Sequence, residues 1–169
     1  MLFRSRNFIR GTAASATLAF PALRLGAAAS NEEIRVAVIG LGGKGRSHVK
    51  MLVKFPGARL TALCDVDPQR LAEQVAVAKE AGLTVATATD PRRILERKDV
   101  DAVVIATPNH WHAVLTAWAC RAGKDVYVEK PVSHSIGEGP RMIEAARRHG
   151  RIVQRSEEHT SELQSHLNL

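Results

Sequence analysis

Val36-Ala37-Val38-Ile39-Gly40-Leu41-Gly42-Gly43-Lys44-Gly45 is an apolar run that breaks into Gly-x-Gly-x-x-Gly. A second apolar run, 59–64, follows and ends on Asp65, twenty positions after Gly45. Strand, glycine loop, helix, second strand and acid in this order make a dinucleotide-binding βαβ unit. Gly40 permits a tight turn out of the strand. Gly42 has no side chain to block a pyrophosphate, and Gly45 lets the helix pack close to the sheet. The helix start then offers unpaired N–H groups and partial positive charge to phosphates. Asp65 has two oxygens to accept bonds from both hydroxyls of an adenosine ribose. The same carboxylate repels a 2′-phosphate, so NAD is expected over NADP. A phosphate loop of the nucleotide-triphosphatase kind is excluded, because Lys44 is followed by Gly45 and not by Ser or Thr.

Working outward, apolar and helical segments alternate. Strands are expected at 34–39, 59–64, 83–86, 102–106, 125–128 and 151–154. Helices are expected at 44–55, 68–81, 91–97, 110–122 and 136–149. Pro68 and Pro91 mark helix starts, while Gly82 and Gly123 mark helix ends. Nearly continuous apolar strands such as 102–106 belong to parallel sheets covered on both faces. The expected architecture is therefore α/β, a doubly wound parallel sheet with right-handed crossovers.

The formal net charge of +7 is unevenly placed. Residues 1–30 hold Arg4, Arg6, Arg10 and Arg24 and no acid. The later Lys and Arg alternate with Asp and Glu, and no basic stripe is interleaved with aromatics, so a nucleic-acid partner is not expected. Cys64 and Cys120 lack any C-x-x-C partner and read as buried thiols.

Residues 1–30 read as an export signal: a basic start, an Ala-rich apolar run over 11–29, and Ala27-Ala28-Ala29 as a cleavage site. Ser5-Arg6-Asn7-Phe8-Ile9-Arg10 resembles a twin-arginine signal with Ser5 in place of the first arginine. The run, broken by Pro21 and Arg24, is too weak for a stable membrane span. The destination expected is periplasmic. At the other end, 155–166 reads Arg-Ser-Glu-Glu-His-Thr-Ser-Glu-Leu-Gln-Ser-His, with no strand alternation and no core face. This string resembles a sequencing-adapter oligonucleotide translated in frame. The nucleotide domain is accordingly expected over 31–154, with 155–169 a non-native tail.

Ligands in such sheets bind beyond the carboxyl ends of the strands. Two polar loops lie there, Thr107-Pro108-Asn109-His110-Trp111-His112 and Glu129-Lys130-Pro131. Lys130 follows a buried strand directly, which places an ammonium in the cleft to hold a substrate hydroxyl or polarise a carbonyl, with Glu129 to orient it. His110 and His112, two apart at a helix start, face different ways, and no metal site is expected of them. They are expected to line the pocket or cap the helix. Trp118 and Ala119 are expected to pack on the sheet.

Taken together, Gly40–Gly45, Cys64-Asp65-Val66-Asp67, Thr107-Pro108-Asn109-His110 and Glu129-Lys130-Pro131 resemble the glucose–fructose oxidoreductase/inositol dehydrogenase (Gfo/Idh/MocA) family over residues 33–154, and exported bacterial members of it in particular. The resemblance implies a Rossmann-type fold with NAD as cofactor. It implies that Gly40, Gly42, Gly43, Gly45, Asp65, Thr107, Pro108, Asn109, His110 and Glu129 line the NAD site and that Lys130 is catalytic. It implies sugar, cyclitol or related polyol substrates, a homo-oligomeric parent, and a second α/β substrate domain, carrying an acid/base histidine, that is absent from this chain. The reaction expected of the full-length parent is hydride exchange with NAD. Two alternatives remain: glycoside cleavage through transient oxidation, as in some relatives, and a non-catalytic nucleotide-binding fragment. The chain by itself is expected to be inactive.

Overall fold

The computed structural model describes residues 33–156, so the expected export segment, and the expected tail beyond Ser156, lie outside the described residues. Six strands form one parallel sheet in the order β3-β2-β1-β4-β5-β6. They are β1 (Ile34–Ile39), β2 (Ala58–Cys64), β3 (Ala86–Ala88), β4 (Ala102–Ile105), β5 (Asp125–Val128) and β6 (Val153–Arg155). The helices between them are α1 (Gly43–Leu52), α2 (Pro68–Glu80), α3 (Pro91–Leu95), α4 (His112–Arg121) and α5 (Glu138–His149). The order reverses between β1 and β4, which opens a crevice beyond their carboxyl ends.

Strand alternation divides the core in two. Val36 and Val38 of β1 join Leu60, Leu63, Val104 and the inner faces of α1 and α2. Ala37 and Ile39 join Ala62, Val103, Ile105, Val126 and the inner faces of α3, α4 and α5. Ala119 and Cys120 are wholly buried in this second layer and Trp118 packs against it. Both cysteines are free and buried. Burial, with the nearby Asp65 and Asp90, pushes the Cys64 thiol up to about 12.

Three of the boundaries that the structure moves lie at β3, α5 and β6, each for an identifiable reason. The strand expected at 83–86 begins only at Ala86, because Leu83 N–H turns back to the Ala78 carbonyl (2.9 Å) and completes the end of α2. The last helix starts at Glu138, not at 136, because Glu138 Oε2 accepts the N–H groups of His134 (2.7 Å) and Ser135 (3.2 Å) in front of it. The final strand spans Val153–Arg155 and not 151–154. Arg151 N–H closes α5 on Ala146 O (2.9 Å), Ile152 N–H goes to Asp125 Oδ1 (2.9 Å), and Arg155 pairs with Val128. Arg155, expected to open a non-native tail, is thus part of the sheet.

Charged fasteners close the amino-terminal end of the sheet. Arg35 at the start of β1 grips Asp101 ahead of β4 through Nε (2.9 Å) and Nη2 (2.6 Å). Lys124 Nζ, buried ahead of β5, donates to the carbonyls of Arg97 (2.6 Å) and Val100 (2.8 Å). Hydrogen bonds from Arg35 hold the Asp101 carboxyl below its ordinary range, and Arg97 does the same for Asp99. Arg92 holds Asp90 down to about 2. A carboxyl whose folded pKa lies below its unfolded value stabilises fully above the unfolded value, about 4. That contribution is lost as the pH falls through the folded one. The melting temperature is therefore expected to hold from pH 7 to about 5 and to fall below about pH 4. A melting temperature unchanged at pH 3 would contradict these pairs as stabilising elements.

Candidate active site: a dinucleotide cleft

The glycine loop is built by close backbone approach. Gly40 leaves β1 with φ +89°, its N–H bonds to Cys64 O (2.8 Å), and a Cβ there would lie 2.7 Å from the Ala106 backbone. At Gly45 a Cβ would run into the Gly40 carbonyl oxygen, so α1 touches the loop with no room for a methyl group. Gly42 and Gly43 are different: among the described residues a Cβ on Gly43 meets nothing within 4 Å, and one on Gly42 meets only the Arg70 guanidinium at 3.4 Å. This open cradle stands at the start of α1, where the first N–H groups lack helical partners.

Asp65 closes the loop from the side. It is 8% exposed, Oδ2 accepts the Leu41 N–H (2.6 Å), and Oδ1 accepts the Asp67 N–H (2.9 Å). The carboxylate thus braces the glycine loop as well as facing the cleft. A cleft of about 430 Å³ runs between the loop and the ends of β2 and β4. Gly40, Gly42, Asp65, Thr107 and Pro108 all line it. Gly43 lines an adjoining pocket with Leu41, Arg46 and Arg70. The Thr107 hydroxyl is buried with no partner among the described residues, as befits a group completed by a polar ligand. Cradle, acid and orphaned hydroxyl together fit a dinucleotide.

Other expected residues stand apart from this cleft. Asn109 and His110 lie exposed on a short 3-10 turn, Asn109–Trp111, closed by Trp111 N–H on Pro108 O (2.9 Å). That turn is why α4 begins at His112 and not at 110. His112, 1% exposed, bonds through Nδ1 to Pro131 O (2.6 Å) and through Nε2 to Thr107 O (2.8 Å). It ties the two polar loops together. Lys130 is exposed directly after β5 and precedes a cis peptide bond to Pro131. Its N–H donates to Ser156 Oγ (2.9 Å) and, at 3.3 Å, to Glu129 Oε2.

Glu129 has a partner beyond the Lys130 turn. It meets Lys130 through the backbone N–H, while its Oε1 lies 2.6 Å from His48 Nε2 on α1. Burial alone would raise its pKa, but bonds from His48 and Ser156 hold it below the ordinary carboxylate range. Sequence reasoning missed His48 because the partners are 81 positions apart. It also missed Arg70, Trp111 and Leu115 in the cleft wall. Arg70 carries a faint signal: it falls three positions after Asp67, and its Nε pairs with Asp67 Oδ2 at 3.3 Å.

The profile of the oxidoreductase family with an NAD-binding Rossmann fold matches residues 34–156. The chain belongs to the Gfo/Idh/MocA family. Scyllo-inositol 2-dehydrogenase (NAD(+)) of Bacillus subtilis is 40% identical over 124 residues, covering 72% of this chain and 35% of that protein. Alpha-N-acetylgalactosaminidase of Shewanella oneidensis is 34% identical over 122 residues, covering 69% and 27%. The crystal structure of scyllo-inositol dehydrogenase from Lactobacillus casei with bound NAD(H) and scyllo-inositol superposes with a TM-score of 0.66 at 28% identity, covering 74% and 36%. The Gfo/Idh/MocA chain described here thus spans about a third or less of the length of these relatives. It is the NAD-binding oxidoreductase domain of that family, and its fold is the Rossmann fold expected of it. No helix among the described residues of this Gfo/Idh/MocA domain is long and apolar enough to cross a membrane.

Proposed function

We propose that this chain is the cofactor-binding part of an exported NAD-dependent oxidoreductase that acts on a sugar, cyclitol or related polyol. The observation that carries the cofactor preference is Asp65, a buried acid braced by two backbone N–H groups at the edge of the cleft. A fixed carboxylate accepts ribose hydroxyls and repels a 2′-phosphate. NAD, when bound, accepts or returns a hydride. Gly42 and Gly43 leave room for its phosphates, the α1 terminus supplies N–H donors, and Thr107 and Pro108 border it within the cleft. Asn109, His110 and Glu129, outside the cleft wall, are proposed to meet the part that extends beyond it. Lys130 Nζ holds the substrate hydroxyl and exchanges its proton. The inositol dehydrogenase relatives support the substrate class. The basic, Ala-rich start supports export to the periplasm without lasting membrane insertion. That the chain spans about a third or less of its relatives' length supports a longer parent with a substrate domain, for which a homo-oligomer is proposed.

A second reading, glycoside cleavage with transient oxidation, is favoured by the alpha-N-acetylgalactosaminidase relative. Release of nitrophenol from aryl glycosides by the parent, without net NADH, separates it from a dehydrogenase.

The test on this chain is NADH titration followed by cofactor fluorescence. NADH is expected to bind, and NADPH at least about tenfold more weakly, a difference of one pKa-sized increment of about 1.4 kcal/mol. Equal binding of both, or of neither, would overturn the reading. Sequencing the locus past the Gln154 codon tests the longer parent: a stop soon after the sequence encoding 155–169 would remove it.

A further inference from the structure

One buried polar contact joins α1, at whose start the glycine cradle stands, to the turn that carries Lys130. His48 stands on α1 with its side chain 14% exposed, and Glu129, at 9%, follows β5. Their 2.6 Å contact pairs an imidazole with a carboxylate. The His48 ring also packs edge-on against Tyr127, with centroids 5.5 Å apart. Its neighbours on the helix, Val49 and Leu52, are apolar core residues. Packing α1 on the sheet therefore calls for an apolar side chain at 48 as much as at 49, and a histidine there needs another reason.

Glu129 supplies that reason. An ionised carboxylate only accepts hydrogen bonds, so Nε2 of His48 carries the proton between them. Without that donor the carboxylate keeps, among the described residues, only the Ser156 hydroxyl (2.8 Å) and the Lys130 N–H, both on Oε2, and the buried Oε1 turns toward solvent or takes up a proton. Either outcome shifts the turn whose next residue is Lys130, because the other oxygen, Oε2, accepts the Lys130 N–H at 3.3 Å and the Ser156 hydroxyl at 2.8 Å, and that hydroxyl oxygen itself accepts the Lys130 N–H at 2.9 Å. We propose that His48 is a positioning residue, which clamps Glu129 and so presents Lys130 in fixed register with the helix that holds the cofactor phosphates. The proposal rests on the NAD reading above for its functional meaning, though the clamp itself is a property of the chain.

The test uses the chain with His48→Leu, which keeps bulk and removes the donor, and His48→Gln, whose amide N–H can reach the carboxylate. NADH affinity is read by fluorescence, the Lys130 backbone amide by 1H–15N correlation spectra, and folding by thermal melts without cofactor. His48→Leu is expected to shift the Lys130 amide and to weaken NADH by about tenfold, the scale of one charge-assisted hydrogen bond. His48→Gln is expected to recover most of the affinity and the wild-type amide position. If His48→Leu does not fold, His48→Asn, too short to reach Glu129, is expected to behave as described for it. An unmoved Lys130 amide in the variants without the donor, or a glutamine variant as weak as leucine, overturns the clamp. Wild-type chain that binds no NADH overturns the cofactor reading instead, and the amide shift still decides on His48.

Discussion

Gly45→Ala is expected to abolish measurable NADH binding and to lower the melting temperature by about 10 °C or more, equivalent to about 3 kcal/mol in a domain of this size. The added methyl group meets the Gly40 carbonyl, which is backbone and cannot swing aside as a side chain would. Relief requires α1 to lift from β1 or the loop to leave Ala106. Lifting α1 opens the contacts of Val49 and Leu52 with Val38 and Leu63, and overpacking of a tight core costs about 1–3 kcal/mol even where it relaxes. Moving the loop disturbs Gly40, whose N–H is tied to Cys64. The matched control is Gly43→Ala, where nothing among the described residues stands within 4 Å, so the melting temperature is expected to stay level or rise slightly, as alanine suits a helix better than glycine. Equal melting temperatures for Gly45→Ala and wild type, by circular dichroism, would refute the close approach.

Asp65→Ala is expected to weaken NADH by about 100-fold and to destabilise the chain by about 2–4 kcal/mol. The substitution removes the acceptor for two N–H groups at once. One belongs to Leu41, which is wholly buried, so no water replaces the lost oxygen. An unsatisfied buried donor costs about 1–3 kcal/mol. The binding loss adds a second origin, because the acid that faces the ribose edge of the cleft is gone, and NADPH discrimination is expected to vanish with it. Calorimetric titration with both cofactors, together with a urea melt, checks the two effects separately. Asp65→Ala with normal stability and undiminished preference for NADH would show that the acid neither braces the loop nor selects the cofactor.

Legibility in the sequence followed the range of the interactions. Strands β1 and β5 occupy the residues expected of them, because their apolar side chains record burial: the last four residues of β1 are buried, as are Val126 and Val128 of β5. The glycines and Asp65 were legible because their spacing is set inside one βαβ unit. Boundaries at β3 and β6 slipped where the end of a preceding helix claims the first N–H groups, an exchange that hydropathy does not record. His48 and Glu129 were each visible as residues, but their pairing depends on how α1 crosses the end of β5. Arg70 and Trp111 reach the cleft from helix and turn faces whose orientation is fixed only by the assembled sheet.

The fasteners at the amino-terminal end, Arg35 with Asp101 and Lys124 with its two carbonyls, lie at the far side of the sheet from Gly40, Asp65, Thr107 and Glu129. Substitutions at the two ends share none of the partners described above and are expected to combine additively. A lineage can therefore rewrite the ligand-facing loops while the opposite rim keeps the domain folded. The length of four or five extended residues separates heritable robustness from heritable novelty.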